Sequence, residues 1–418
     1  METSKAHLLF EVALQKLRET GVSDSGIPLT ARAVTEKREF KNLFAAVQKV
    51  SREKKRADQP FASDEFPDED YFTKCVESGF VVEFKEQSSS QEPCAYGFII
   101  PSIFNRLPRP IYAEIRLFTL NGHPSLQLLT DLQAVLVKVS QAIGYIGCVI
   151  DTFTSNLLAI EAASRNGFRN AFVIPLSGEL VDVGLFDSII LLKSMVTDVK
   201  DFPNPESARI QHLPEYRDRP IMGKPGFNVS PFATKLADGT SIIVRCLAKR
   251  HIPGVHRIFD QATARGQGFG VAEIPPTEFI EAIIDGTHPG HAFAVELEES
   301  GYQIAALFIG PSMYCRSATP VHADSYGLVD QSFGARGVGL MLWKLYTRLA
   351  FEFGYKGCLT DSFTCNEPVT KIVRATKFVV LGTLWKGGYL NGKGYSDMLC
   401  FYQTTQKEDL QRNHDAKL

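Results

Sequence analysis

Two stretches of the chain, 210 residues apart, match without a gap. Gly144–Phe168 reads GYIGCVIDTFTSNLLAIEAASRNGF and Gly354–Phe378 reads GYKGCLTDSFTCNEPVTKIVRATKF, with nine of 25 residues identical. In each copy a strand-like run, Cys-x-x-Asp-x-Phe-Thr-x-Asn, follows a run with helical spacing. A repeat of so long a period points to two copies of one domain rather than a solenoid of short units. The 418 residues leave room for two or three domains, each with its own core. Only the second copy has a glycine-rich turn ahead of its helix, so the copies are not expected to share one job.

The spacing of apolar residues predicts a strand over 29–34, helices over 36–54 and 70–78, and strands over 80–84, 95–100 and 111–119. A helix over 127–143, a strand over 147–153, a helix over 157–166 and two strands ending near 194 complete the first copy. The second copy reads as a strand over 241–247, helices over 253–264 and 277–285, and strands over 292–297, 303–309 and 323–329. A helix over 338–353, a strand over 357–363, a helix over 368–375 and strands over 378–384 and 395–402 follow, the last two joined by KGGYLNGKG. This order is that of a mixed α/β (α+β) layer architecture. The expected domains are an N-terminal helix within 1–28, a first copy over 29–195, a proline-rich linker over 196–240, a second copy over 241–404 and a polar tail over 405–418. The first helix carries Leu8, Leu9, Val12, Leu14 and Leu17 on or near one face.

The net charge of −2 gives no support to a nucleic-acid partner. No apolar run is long enough to cross a bilayer, and the N-terminus lacks the pattern of a secretion signal, so an intracellular, cytoplasmic protein is expected. Eight cysteines form no Cys-x-x-Cys pair, which argues against zinc and a disulfide framework. Cys365 lies where a strand should end; a reactive thiol and a small packing residue are both open there, and its counterpart is Ser155.

The segment with chemistry in it is GLVDQSFGARGVGLMLWK, from Gly327 to Lys344. A strand ends at Val329, a turn holds Gly334, Gly337 and Gly339, and an amphipathic helix follows. The first amides of a helix have no partner inside it, and the helix dipole adds positive charge there. With glycine letting a ligand approach, such a turn makes an anion cradle suited to pyrophosphate. Arg336 adds a cation. A helix start with a flexible turn is the plainer alternative. A dinucleotide-binding Rossmann unit would need parallel strands, whereas the preceding segments look like an antiparallel meander.

The segment resembles the GNAT superfamily of N-acetyltransferases. There the pattern Arg/Gln-x-x-Gly-x-Gly/Ala, between the fourth strand and third helix, holds the pyrophosphate of acetyl-coenzyme A. Gly337 and Gly339 match the two small positions, while Gly334 stands where Arg or Gln is usual. GLVD and GYKGCLTDSFTCNEP, with Asn366, also match, and the resemblance covers roughly Ser241–Thr404. It implies two GNAT-like domains, each a mixed, mainly antiparallel sheet flanked by helices. It also implies acetyl-coenzyme A as co-substrate, bound by Leu328, Val329, Gly334, Arg336, Gly337, Val338, Gly339, Leu340 and Asn366. The ending KGGYLNGKGYSDMLCFY looks like the closing hairpin of members that acetylate small amines and amino-acid analogues. By that likeness Tyr389, Tyr395 and Asp397 line an acceptor pocket. In the first copy, Leu126, Gln127 and Leu129 stand where Arg336, Gly337 and Gly339 do, and their side chains would crowd a pyrophosphate.

Acetyl transfer to an amine needs a base for the ammonium proton and, often, a tyrosine acid for the thiolate. The family's tyrosine falls at Val373 here and at Ala163 in the first copy, so it is missing from both. Asp324, with Tyr326 and His322 on its face of the strand, is the candidate base; Glu114 is its first-copy counterpart. Asp361 is duplicated as Asp151, which favours a structural role. The leading expectation is an acyl-coenzyme A-dependent N-acyltransferase acting on a small amine through its second domain. The alternatives are an inactive tandem domain that binds acetyl-coenzyme A as a sensor or scaffold, and a tandem transferase using a longer acyl chain or a peptide N-terminus.

Overall fold

A computed structural model of the chain describes residues 5–20, 29–52, 60–86, 92–107, 110–120, 124–196, 221–222, 229–266, 268–269 and 275–404. The expected tail and most of the expected linker lie outside these residues. The chain divides into two compact units. Unit 1 holds residues 1–220 with Arg316–Ala318; unit 2 holds 221–315 and 319–418.

Unit 1 contains α1 (Lys5–Thr20), β1 (Leu29–Val34), α2 (Lys37–Arg52), α3 (Glu69–Glu77), β2 (Phe80–Glu86), β3 (Ala95–Pro101), β4 (Tyr112–Thr119), α4 (Leu126–Ile143), β5 (Gly147–Phe153), α5 (Leu157–Arg165), β6 (Arg169–Leu180) and β7 (Gly184–Ser194). Its sheet runs β1-β2-β3-β4-β5-β7-β6. In α1 the buried residues are Phe10, Ala13 and Leu14, and Phe10 stacks on Phe80 at 4.6 Å. Leu8 and Val12 are exposed. Of the expected stripe, Leu14 is buried and Leu8 and Val12 are not, while the side chain of Leu17 lies outside the described residues; helical spacing from Phe10 selects 10, 13 and 14.

Unit 2 contains β8 (Phe232–Lys235), β9 (Ser241–Cys246), α6 (Ile252–Ala264), α7 (Thr277–Ile284), β10 (His291–Leu297), β11 (Gln303–Pro311), β12 (His322–Val329), α8 (Val338–Glu352), β13 (Gly357–Phe363), α9 (Glu367–Ala375), β14 (Val379–Leu390) and β15 (Gly394–Thr404). Its sheet runs β14-β15-β13-β12-β11-β10-β9-β8. One face packs on α8 through Val244, Val295, Leu307, Ala323 and Cys358. The other packs on α6 and α7 through Ala294, Ala306, Phe308 and Leu328. β8 was not foreseen; it pairs with β9 within a stretch read as linker.

Both sheets are antiparallel except for one pair each, β4–β5 and β12–β13. From β3 and β11 onward the strand registers of the two units repeat at the same offset. Ile100 pairs with Glu114 as Gly310 does with Asp324, and Asp151 with Ile190 as Asp361 does with Cys400. Even the irregularities coincide, at Ile174/Gly178 and Leu384/Gly388. There the Asp187 carboxylate accepts the Leu176 amide, and Asp397 accepts the Lys386 amide.

The parallel pairs are short. β12 meets β13 only over His322–Asp324 against Gly357–Leu359, and β4 meets β5 only over Tyr112–Glu114 against Gly147–Val149. Past that point β12 follows β11 and β13 follows β15, so a wedge opens between them. The buried Tyr346 hydroxyl marks its apex, 2.9 Å from Ala323 O and 2.8 Å from Leu359 O.

Candidate functional site

The site in unit 2 is built from the wedge and the start of α8. The Thr360 hydroxyl donates to Ser325 O at 3.0 Å, and Tyr346 lies against Ala323 O, so odd-numbered residues of β12 turn their main chain toward β13. In an antiparallel pair such residues do not bond the other neighbour. The main-chain groups of Gly327 and Val329 therefore line the open side of the wedge. Those of Leu328 face β11, and its side chain is buried with Phe259 and Phe308. Val329 is thus placed at the wedge by its backbone, whereas Leu328 is not.

After β12 the chain is held by Asp330, which is buried. Its carboxylate accepts from the Ser332 amide at 2.9 Å, the Ser332 hydroxyl at 2.6 Å, the Tyr302 hydroxyl at 2.9 Å and the Arg257 guanidinium. Burial alone would raise its pKa; the bonds from Ser332, Arg257 and Tyr302 outweigh it and bring the pKa to about 2. The Gly334 amide donates to Gln331 O at 3.1 Å. Gly337 then takes φ 82°, and α8 begins with no side chain capping it. The first intrahelical bond there is from the Met341 amide to Gly337 O, at 3.0 Å. The amides of Val338, Gly339 and Leu340 precede any such bond, as the first amides of a helix must.

The predicted residues differ in what they offer. Val338 is buried, so its contribution is the amide alone. Gly339 serves helix packing: a Cβ there would stand 3.0 Å from Ile372 Cδ1 on α9. Arg336 is half exposed, lies over the Phe333 ring at 5.0 Å and sits 3.7 Å from Asp238. The Asn366 side chain does not cap α9; its Nδ2 donates to Ser362 Oγ at 3.0 Å. In unit 1, by contrast, Asn156 caps α5 through the Ala159 amide.

Asp324 and Tyr326 share a face of β12, the one covered by α6 and α7. The Asp324 carboxylate accepts the Ser325 amide at 2.7 Å. The Tyr326 ring stacks on Phe308 at 4.6 Å and packs edge-on to Phe259 and Phe269. His322 is fully buried. Tyr389 and Tyr395 meet edge to face at 5.2 Å on the closing hairpin, and burial pushes the Tyr395 phenol up to about 12. Asp397 lies 3.7 Å from Lys386 Nζ, in addition to holding the Lys386 amide. Cys365 is exposed, and the Ser396 hydroxyl donates to it at 3.6 Å. Burial pushes Cys358 up to about 12, so it packs as a thiol. Sequence reasoning missed Tyr314, whose hydroxyl donates to the Asp361 carboxylate.

Unit 1 treats the same places differently. Its α4 starts at Leu126, capped by the Ser125 hydroxyl, which accepts the Leu128 amide at 3.1 Å. Where Tyr326 stands in unit 2, unit 1 has Arg116, buried between Glu114 and Glu65. Glu65 also meets Arg316, whose guanidinium lies over the Phe153 ring at 4.7 Å.

No family model and no curated protein matches the chain. Among solved structures it is similar to a GCN5-related N-acetyltransferase from Kribbella flavida, with 16% identity, a TM-score of 0.35, and coverage of 39% of this chain and 97% of that one. It is also similar to a ribosomal-protein-alanine N-acetyltransferase from Brucella melitensis, with 16% identity, a TM-score of 0.33, and coverage of 38% and 98%. A third is a GNAT superfamily phosphinothricin acetyltransferase from Sinorhizobium meliloti in complex with acetyl-coenzyme A, with 13% identity, a TM-score of 0.34, and coverage of 41% and 88%. Likeness of this size leaves the chemistry to be read from this chain's own residues. No helix among the described residues is long and apolar enough to cross a membrane.

Proposed function

We propose that the protein is an acyl-coenzyme A-dependent N-acyltransferase whose second domain, 241–404, moves an acetyl group to a small amine. The observation that supports this most is the uncapped start of α8, with its left-handed Gly337, beside a wedge in the sheet. The amides of Val338, Gly339 and Leu340 and the Arg336 side chain receive the pyrophosphate of acetyl-coenzyme A. Arg336 exchanges Asp238 for phosphate. The pantetheine arm enters the wedge as an added strand, along the main chain of Gly327 and Val329 and past Asn366, and a main-chain amide polarises the thioester carbonyl. The amine comes from the face carrying Asp324 and Tyr326. Tyr389 and Tyr395 bound its pocket, and Asp397 holds the hairpin that presents them.

The first domain, 29–195, does not bind coenzyme A in this way. Its helix start is satisfied by Ser125, and Arg116 with its two glutamates occupies the wedge face. Calorimetric titration with acetyl-coenzyme A tests both statements: one site is expected, lost in Gly337→Val and kept in Gln127→Ala. Two sites, or none, would overturn the proposal. Val373, where the family carries its tyrosine, is buried in the unit 2 core and supplies no proton. That favours, as a second reading, a domain that binds acetyl-coenzyme A without turning it over. Binding with no release of coenzyme A in the presence of any of a panel of amines would establish it.

A further inference from the structure

Both copies keep an aspartate on the strand that leaves the wedge, Asp151 and Asp361, yet its surroundings differ. In unit 1 the Arg316 guanidinium donates to the Asp151 backbone oxygen at 2.9 Å, and the buried Arg116 guanidinium interacts with Asp151 through its charge. In unit 2 the Asp361 carboxylate accepts the Tyr314 hydroxyl. The turn that carries Tyr314 starts in the same way in both copies. The Ser312 amide donates to His322 O at 2.9 Å and the Tyr314 amide to Ser312 Oγ at 3.3 Å; the Ser102 amide donates to Tyr112 O at 3.0 Å and the Phe104 amide to Ser102 Oγ at 3.3 Å. Tyr314 thus corresponds to Phe104, the same ring without the hydroxyl; the next residue differs too, Asn105 accepting the Ile111 and Tyr112 amides at 2.9 Å where unit 2 has Cys315. The hydroxyl is present only in the copy with the glycine turn.

Asp361 stands two residues past the last β12–β13 pair. Cys358 packs on the α8 side, so alternation puts Asp361 on the face of Asp324 and Tyr326. Asp324, Asp361 and Cys315 all bear on the buried Cys400 thiol, which burial and these neighbours push up. Among the described residues, the charged and titratable groups placed on this face with Asp361 include Asp324 on β12, Cys400 on β15, and Tyr314 and Cys315 in the β11–β12 turn.

We infer that Asp361 takes the proton of the acceptor nitrogen and that Tyr314 positions Asp361 for it, an assignment that rests on the transferase reading above. The nitrogen lone pair attacks the thioester carbon, the C–N bond forms and the C–S bond breaks. One proton passes from nitrogen to the Asp361 carboxylate, and the sulfur leaves with the bonding pair as thiolate. That proton then reaches the thiolate through water and restores the carboxylate. A hydrogen bond donated to the carboxylate fixes its orientation, and a base must be held within reach of the proton it takes. No separate acid is required, in keeping with Val373 and its missing hydroxyl.

The test compares wild type, Tyr314→Phe and Asp361→Asn. Coenzyme A release from acetyl-coenzyme A, with glycinamide and putrescine as acceptors, is followed with kcat and KM taken separately, alongside calorimetric binding of acetyl-coenzyme A. Tyr314→Phe should bind acetyl-coenzyme A within about twofold of wild type and lose about tenfold or more in kcat with KM little changed. Asp361→Asn should lose about a hundredfold or more with binding intact. Unchanged kcat in both variants would overturn the inference alone. A wild type that binds acetyl-coenzyme A but releases no coenzyme A overturns it too and leaves the binding site standing. A wild type that does neither sinks the transferase reading as well. If Tyr314→Phe does not fold, Asp361→Asn decides: full rate overturns the inference, loss with intact binding supports it.

Discussion

Replacing Gly337 by alanine should cost ligand affinity far more than stability. Gly337 sits at φ 82°, where a residue with a Cβ is strained by about 1–2 kcal/mol. The added Cβ meets nothing closer than Ala237 Cβ at 4.0 Å, so no steric term joins the strain. Alanine also removes freedom from the unfolded chain, which offsets about 0.4–1 kcal/mol. The net loss is about 1 kcal/mol, or about 2–4 °C in the melting of a unit this size. Relief of the strain rotates the first turn of α8 and takes the amides of Val338, Gly339 and Leu340 off their direction. Each hydrogen bond from such an amide to a charged phosphate is worth about 1.5–3 kcal/mol, so losing even one weakens binding by about tenfold to a hundredfold. Scanning calorimetry reads the first quantity and isothermal titration with acetyl-coenzyme A the second. A variant that melts about 2–4 °C lower yet binds as wild type would refute the cradle and move the phosphates elsewhere.

Asp330 gives unit 2 an acid limb. Its pKa is depressed to about 2, so its contribution is complete above the ordinary carboxylate value and is lost as pH falls through about 2. The contribution is about 2 kcal/mol. Asp330→Asn should remove that much at neutral pH and flatten the loss below about pH 4, read from urea midpoints; an unaltered acid limb would count against it. Glu65→Ala leaves Arg116 and Arg316 buried beside fewer carboxylates and should destabilise unit 1 by about 3–5 kcal/mol, with acetyl-coenzyme A binding to unit 2 retained. Ser125→Ala removes the cap of α4 and should cost about 1 kcal/mol by urea unfolding; no change would mean that water caps that helix equally well.

The elements were legible in the sequence because their signals are local. α4, β5 and α5 stand within a residue of the expected ends, since apolar periodicity and flanking glycine or asparagine mark both ends. β8 was hidden because all four of its residues are exposed and it borders a proline-rich stretch, so it has no alternation to read. β14 runs on through Lys386–Leu390, where the glycines of KGGYL suggested a turn; an irregularity at Leu384/Gly388 absorbs them within the strand. In the site, the glycine turn was readable because its parts are contiguous. Its other features were not. That Gly339 admits Ile372, and that Tyr314 reaches Asp361, depend on residues 33 and 47 positions apart that only the folded sheet brings together. One signal did exist: carried upstream at the same spacing, the repeat sets PSMYCR against PSIFNR and exposes the tyrosine–phenylalanine exchange.

On the proposed reading, the two units differ in whether polar groups on a shared backbone are satisfied from within. In unit 1 a serine closes the helix start, and Arg116, held by two glutamates, fills the place of Tyr326. A phosphate arriving there would find one amide already bonded, and a pantetheine arm would have to part a buried ion network. Separating such a network leaves charges without partners at a cost of several kcal/mol, comparable to what a ligand of that size gains. The two obstacles are independent, one at the helix and one on the strand. Ser125→Gly alone should therefore leave unit 1 without affinity for acetyl-coenzyme A, because Arg116 and its glutamates remain. Titration of that variant on a Gly337→Val background, where unit 2 is silent, isolates the question: heat of binding there would show that the helix start alone sets the difference between the copies.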